Sequence, residues 1–325
     1  MTDSNDELMM ETMYWWGVPT LFRCEHNKDL SNCDIALVGV PHSTGNGTTE
    51  RDQHLGPRAV RHISAGLRRV HLEFNINPWK KKKIFDLGDV ALPQANNNEK
   101  CIEDITNFYK RIARENKPVV SIGGDHSITG GILQGLGSNN LEMTQGKKIS
   151  FLHIDAHTDT FSQLDHFMGA KKSAAHWGAY LVEQGIIDPK TSMQIGMRGN
   201  PRTLDWLQPS YDLGYNVITM DEFQKRGIND VIKETLDKIG DNPLYITFDL
   251  DALDASVAPA VSNIEPSFTG FTIDEAKALI QSVKNKNVIG GDVVCLMPTK
   301  DQKNNITSMV AASIMFEIIS VIAYN

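Results

Sequence analysis

From residue 34 onward, short apolar runs alternate with amphipathic stretches, and this alternation constrains the fold more than any other feature of the chain. The runs predict strands at 34–40, 84–87, 118–122, 148–154, 192–195, 216–219, 243–248 and 288–294. Helical periodicity predicts helices between them at 57–70, 100–114, 128–136, 173–184, 228–239 and 273–283, with a last one at 305–323. Runs such as Ile35-Ala36-Leu37-Val38 lack the polar alternation of a half-exposed strand, so both of their faces must be covered. Strands that alternate with helices in this way form a parallel sheet flanked by helices. No repeat, linker or low-complexity tract interrupts the pattern. It predicts one domain over 1–325 with an N-terminal arm at 1–30.

With 41% hydrophobic residues, the 325-residue chain can bury a large core. Its formal net charge of −8 argues against nucleic acid, because phosphate contacts need a basic face, and mildly favours cationic small molecules. Cys24, Cys33, Cys101 and Cys295 form no C-x-x-C pair and read as free thiols of a reducing compartment. No apolar stretch reads as a membrane span and the acidic start lacks a leader pattern, so a soluble, cytoplasmic protein is expected. Lys80–Lys83 reads as a solvated loop. The arm aromatics Tyr14, Trp15 and Trp16 could pack on the domain or serve a subunit contact.

Three segments carry the chemistry, each at the C-terminal end of a predicted strand, where open α/β sheets bind ligands. They are Gly123-Gly124-Asp125-His126-Ser127, His153-Ile154-Asp155-Ala156-His157-Thr158-Asp159 and Asp249-Leu250-Asp251-Ala252-Leu253-Asp254. If the extended form persists, Asp155, His157 and Asp159 share one face, as do Asp249 and Asp251. Carboxylates crowded beside buried strands repel one another and lose hydration unless a cation compensates them. Two cations would account for these groups together with His126. Aspartate and histidine without thiolate suit Mn²⁺, Ni²⁺, Co²⁺ or Fe²⁺.

With these motifs the chain resembles the ureohydrolase family of arginase, agmatinase and their relatives. The likeness runs from Gly17-Val18-Pro19 through Gly56-Pro57-Arg58 to Asp292-Val293-Val294. It implies a three-layer α/β/α sandwich on an eight-stranded, mostly parallel sheet, in subunits that commonly form trimers or hexamers. It also implies two divalent ions, Mn²⁺ or Ni²⁺. His126, Asp155, Asp159 and Asp249 would bind one, and Asp155, His157, Asp249 and Asp251 the other. The implied reaction is hydrolysis of an amidine-type C–N bond in a small cationic guanidine compound, with Asp159 accepting a hydrogen bond from the attacking oxygen species.

Two positions depart from the family pattern. Ala174 stands where relatives carry a proton-shuttling histidine, which leaves His176 as the candidate and His166 as a weaker one. Cys295, in Asp292-Val293-Val294-Cys295-Leu296-Met297-Pro298, replaces a glutamate that grips the substrate guanidinium, so Glu265 is the candidate substitute. The arm and the loop 41–51 are similar to guanidine hydrolases and biguanide (metformin-type) hydrolases, a group associated with nickel and with hetero-oligomers of two related subunits. Two alternatives stand beside that reading. One is an agmatinase or guanidinobutyrase with a rearranged pocket; the other is a metal-retaining, non-catalytic subunit of a hetero-oligomer.

Overall fold

The computed structural model describes residues 8–9, 12–47, 50–137, 141–162, 169–265 and 269–325. Its sheet contains β1 (Glu25–His26), β2 (Ile35–Val40), β3 (Ile84–Asp89), β4 (Val119–Gly123), β5 (Ser150–Ile154), β6 (Met193–Met197), β7 (Asn216–Thr219), β8 (Leu244–Asp249) and β9 (Val288–Val294). Every pairing is parallel, in the order β1-β3-β2-β4-β9-β8-β5-β6-β7. The predicted α/β class holds. The ninth strand is the two-residue edge strand β1, whose residues Glu25 and His26 are exposed and so give no apolar signal.

The buried strands divide their side chains between two cores. In β4, Val120 and Ile122 enter one core and Val119 the other; in β8, Leu244, Ile246 and Phe248 oppose Tyr245. Helices Gly56–Ser64, Met220–Arg226, Ile228–Ile239, Ile273–Ser282 and Ile306–Tyr324 cover the first face. Helices Asn98–Arg114, Ser127–Leu136 and Trp177–Glu183 cover the second, completing three layers. The helical spacing of Ile102, Ile105, Tyr109 and Ile112 puts one stripe of Asn98–Arg114 into that core.

Ile306–Tyr324 corrects the expectation about apolar stretches. By length and by its mean hydropathy of 2.0 it could cross a membrane, but 78% of that window is buried inside the protein. It also carries the buried Glu317, which meets His71 Nε2 at 2.9 Å. Other differences are local. The helix predicted at 57–70 stops at Ser64, before a turn closed by a His71–Ile76 bridge. Part of the lysine run forms a helical turn, Pro78–Lys81, rather than a loop, and Lys81 reaches the Tyr324 carbonyl. The helix predicted from Ser173 begins only at Trp177, which leaves Ala174 and Ala175 to border the site.

Candidate metal centre and substrate cavity

The strand order makes β4, β9, β8 and β5 consecutive, so the chemistry-bearing motifs converge at one edge. Each motif turns its own chain. Asp125, Asp155 and Asp249 accept, through Oδ1, the backbone N–H two residues on, at 2.9, 2.7 and 2.9 Å. The first motif needs its second glycine, because a Cβ at Gly124 would lie 1.6 Å from the His42 carbonyl oxygen. The expected extended run from Asp155 to Asp159 does not persist. β5 ends at Ile154, and Asp159 adopts a left-handed φ of 52°. The Trp177 indole N–H then donates to Asp159 Oδ2 at 2.9 Å and returns that carboxylate to the cluster.

His126 Nδ1 lies 2.9 Å from Asp155 Oδ2, 2.9 Å from Asp159 Oδ2 and 3.3 Å from Asp249 Oδ2. His157 Nδ1 lies 3.2 Å from Asp251 Oδ2 and 3.6 Å from Asp155 Oδ1. The structure thus brings together all of His126, Asp155, His157, Asp159, Asp249 and Asp251, with Asp155 touching both halves of the cluster. The donor set fits divalent cations. His126 Nδ1 is fully buried and surrounded by oxygen atoms, yet it is aligned for a hydrogen bond with none of them. That is the arrangement of a lone pair aimed at an ion shared with carboxylates.

Electrostatics favour the same reading. Burial, and then the charge of Asp249, push the Asp251 carboxyl well above its ordinary range; burial and Asp155 raise Asp249. Burial disfavours charge on His126 and His157, but the surrounding carboxylates carry both well above the usual imidazole value. Burial opposes the ionised form of Asp155 too, yet His153 and its other imidazole neighbours hold its carboxyl well below normal. Without cations the cluster must retain protons to limit its charge.

A polar row lies one pleat beneath the cluster. The strand registers align Ser121 with Asp292, Asp292 with Thr247, Thr247 with His153 and His153 with Gln194. All five are buried. His153 Nε2 sits 2.7 Å from Asp155 Oδ2, and His126 Nε2 sits 2.9 Å from Thr247 Oγ1. Sequence reasoning assigned these residues no role. The signal was present, since Thr247 and His153 precede Asp249 and Asp155, respectively, by two residues and so share their faces.

Above the cluster opens a cavity of about 660 Å³, bordered by Glu265, Cys295, Ala174, Ala175, Arg202 and Trp206 together with the cluster. Glu265 Oε1 is 3.3 Å from His157 Nε2. Cys295 is buried, with a left-handed φ of 69°, and its N–H donates to the Gly124 carbonyl at 2.8 Å. Burial, followed by Asp249 and Asp251, pushes its thiol well above the normal range, so it stays neutral. His176 is not brought to the cavity. It is buried with Nδ1 2.8 Å from Ser173 Oγ, because the chain caps the following helix there and presents Ala174 and Ala175 instead. His166 lies outside the described residues. Arg198 spends its guanidinium on the carbonyls of Asp251, Ala252 and Leu253, fastening the turn after β8.

Comparisons with known proteins agree with this geometry. The profile of the Arginase family matches residues 33–320. A guanidinopropionase of Pseudomonas aeruginosa is 30% identical over 309 residues, covering 94% of this chain and 92% of its own. A mitochondrial guanidino acid hydrolase of Homo sapiens is 31% identical over 304 residues, covering 93% and 82%. Among solved structures, proclavaminate amidino hydrolase from Streptomyces clavuligerus superposes with a TM-score of 0.86 at 26% identity, covering 96% of this chain and 99% of that one.

Proposed function

The chain belongs to the arginase family of amidine C–N hydrolases, and on that premise we propose that it cleaves a small guanidine-type compound with two divalent ions held by its buried cluster. The observation that carries the proposal is the convergence of His126, His157 and four aspartates beneath the cavity. His126, Asp155, Asp159 and Asp249 are assigned to one ion; Asp155, His157, Asp249 and Asp251 are assigned to the other. Bound there, Mn²⁺ or Ni²⁺ would supply Lewis acidity and an activated water.

The chain's own groups supply the remainder. A guanidinium keeps its proton under all ordinary conditions and needs a carboxylate partner in a dry site. The neutral Cys295 thiol cannot serve, whereas Glu265 borders the same cavity and lies beside His157. Asp159, fixed by the Trp177 indole, is assigned to accept a hydrogen bond from the attacking oxygen species. The free, buried cysteines support a reducing, cytoplasmic setting, and a homo- or hetero-hexamer with a related subunit is the assembly proposed.

Within this class, likeness in the arm and the 41–51 loop favours guanidine or a biguanide. Arg202 favours a guanidino acid instead. It borders the cavity without an ion-pair partner among the described residues, and could meet a substrate carboxylate. The two relatives above are named for guanidino acids. Cys295 and the withdrawn His176 support a further reading, a metal-retaining subunit whose partner performs the turnover.

One experiment separates these readings. The purified chain, alone and with a related subunit, is loaded with Mn²⁺ or Ni²⁺ and assayed on guanidine, dimethylguanidine, a biguanide, agmatine and guanidinobutyrate. Hydrolysis of any of these by the chain alone supports catalysis and names its substrate. Activity only in the mixture, surviving ligand mutations in this chain, would establish the non-catalytic role. Failure to bind either ion would overturn the proposal.

A further inference from the structure

We propose that Asp292 and Thr247 are positioning residues: through one directed hydrogen-bond chain they decide which nitrogen of His126 is free to bind a metal. The inference rests on the metal reading above and extends it to the row beneath the ligands.

The direction of the chain follows from its members. Asp292 is fully buried and has no cationic partner among the described residues; it receives hydroxyls instead. Thr247 Oγ1 donates to its Oδ1 at 2.6 Å, while Thr129 Oγ1 and the Tyr245 hydroxyl donate to its Oδ2 at 2.8 and 2.9 Å. A hydroxyl has one proton. Because Thr247 gives its proton to Asp292, its oxygen can only accept from His126 Nε2, 2.9 Å away. Neutral His126 therefore carries its proton on Nε2 and turns an unprotonated Nδ1 towards Asp155, Asp159 and Asp249. The opposite tautomer would aim an N–H at the ion.

A second chain in the same row acts on the other ligand type. Gln194 Nε2 donates to the Thr158 carbonyl at 2.6 Å, which fixes the amide's orientation, and it also faces His153 Nδ1 at 3.2 Å. His153 Nδ1 thus accepts, and its Nε2–H donates to Asp155 Oδ2 at 2.7 Å. For this reason His153 orients a ligand and is not one itself, although its atoms lie within ligating range of the cluster. Sheet register places both chains in one row, so their positions follow from backbone pairing rather than from flexible side chains.

The test is titration of metal-free protein with Mn²⁺, followed by calorimetry, for wild type, Thr247→Val, Thr247→Ser and Asp292→Asn. Partners of metal ligands typically matter by about 10- to 100-fold in affinity. Thr247→Val, nearly isosteric, should weaken the tighter binding step by about that factor, and Thr247→Ser should restore it. Asp292→Asn should also weaken binding, because an amide N–H facing Thr247 reverses the chain, and it serves should Thr247→Val fail to fold. A folded Thr247→Val protein with wild-type affinity overturns the inference alone. Weakening that Thr247→Ser does not restore also overturns it, since lost packing would then be the cause. A wild-type chain that binds no divalent ion overturns the metal reading and this inference with it.

Discussion

Glu265 Oε1 lies 3.3 Å from His157 Nε2, joining the loop after β8 to the imidazole that stands beside Asp251. The contact places a carboxylate at the cavity side of the cluster, opposite the aspartates. If it receives the substrate cation, Glu265→Gln should lower kcat/KM by about 10- to 100-fold, as expected for a charged hydrogen bond of ~1.5–3 kcal/mol. Metal content should be unchanged. Steady-state kinetics with elemental analysis checks this, and an unaltered kcat/KM would return the role to another group.

Asp155 and Asp249 each approach His126, and Asp155 also approaches His157. Replacing either aspartate with alanine should therefore empty both ion positions, whereas His126→Ala should empty mainly one. Elemental analysis after gel filtration reads the stoichiometry directly. Near-full loading of Asp155→Ala would refute the bridging assignment.

Cys295→Glu restores a carboxylate at the cavity wall. It should shift preference toward compact guanidinium substrates, measured as a change in the ratio of kcat/KM between agmatine and a biguanide. An unchanged ratio in folded, metal-loaded protein would show that position 295 does not select substrates.

His176 is buried against Ser173, and alanines occupy the cavity wall in its place. His176→Asn is accordingly expected to lower thermal stability while the histidine-like limb of the pH–rate profile survives. A positioned acid contributes about 10²–10⁴-fold. A loss of kcat in that range together with disappearance of the limb would instead restore the shuttle role.

Metal dependence of stability should itself depend on pH. The carboxyls of Asp249 and Asp251 are raised, so their contribution is fully present below about pH 4 and is lost as pH rises through their folded values. His126 and His157, also raised, act in the same sense, with their contribution present below about pH 6.5 and lost above it. Asp155, lowered, acts oppositely, but its contribution is lost only as pH falls below about 4. Divalent ions need all five groups deprotonated. The gap in Tm between loaded and chelated protein should thus widen from pH 5 to pH 8, and a constant gap in thermal unfolding would count against the assignment.

The sheet and the convergence of the histidines and aspartates were legible because both rest on local patterns. Apolar runs mark strands, and closely spaced aspartates and histidines mark the ends of β4, β5 and β8. What escaped depends on contacts distant in sequence. Trp177 holds Asp159 across 18 residues, and Asp292 is linked to Thr247 across 45. β1 escaped because it is two residues long and exposed. The surroundings of His176 were equally illegible, because helical periodicity extends back to Ser173, whereas the helix starts at Trp177 and leaves His176 buried against Ser173.

The left-handed backbone at Cys295 bears on how such a site can diversify. That conformation costs a non-glycine residue of order 1–3 kcal/mol and persists where its surroundings dictate it. Here a backbone bond to the Gly124 carbonyl contributes to dictating it, and that bond needs no particular side chain at 295. The position behaves as a socket: main chain helps to set its angle whatever side chain it holds, while the side chain itself faces Asp249 in the cluster below. A change of occupant there therefore alters the shape of the cavity wall and the charge balance of the cluster floor together.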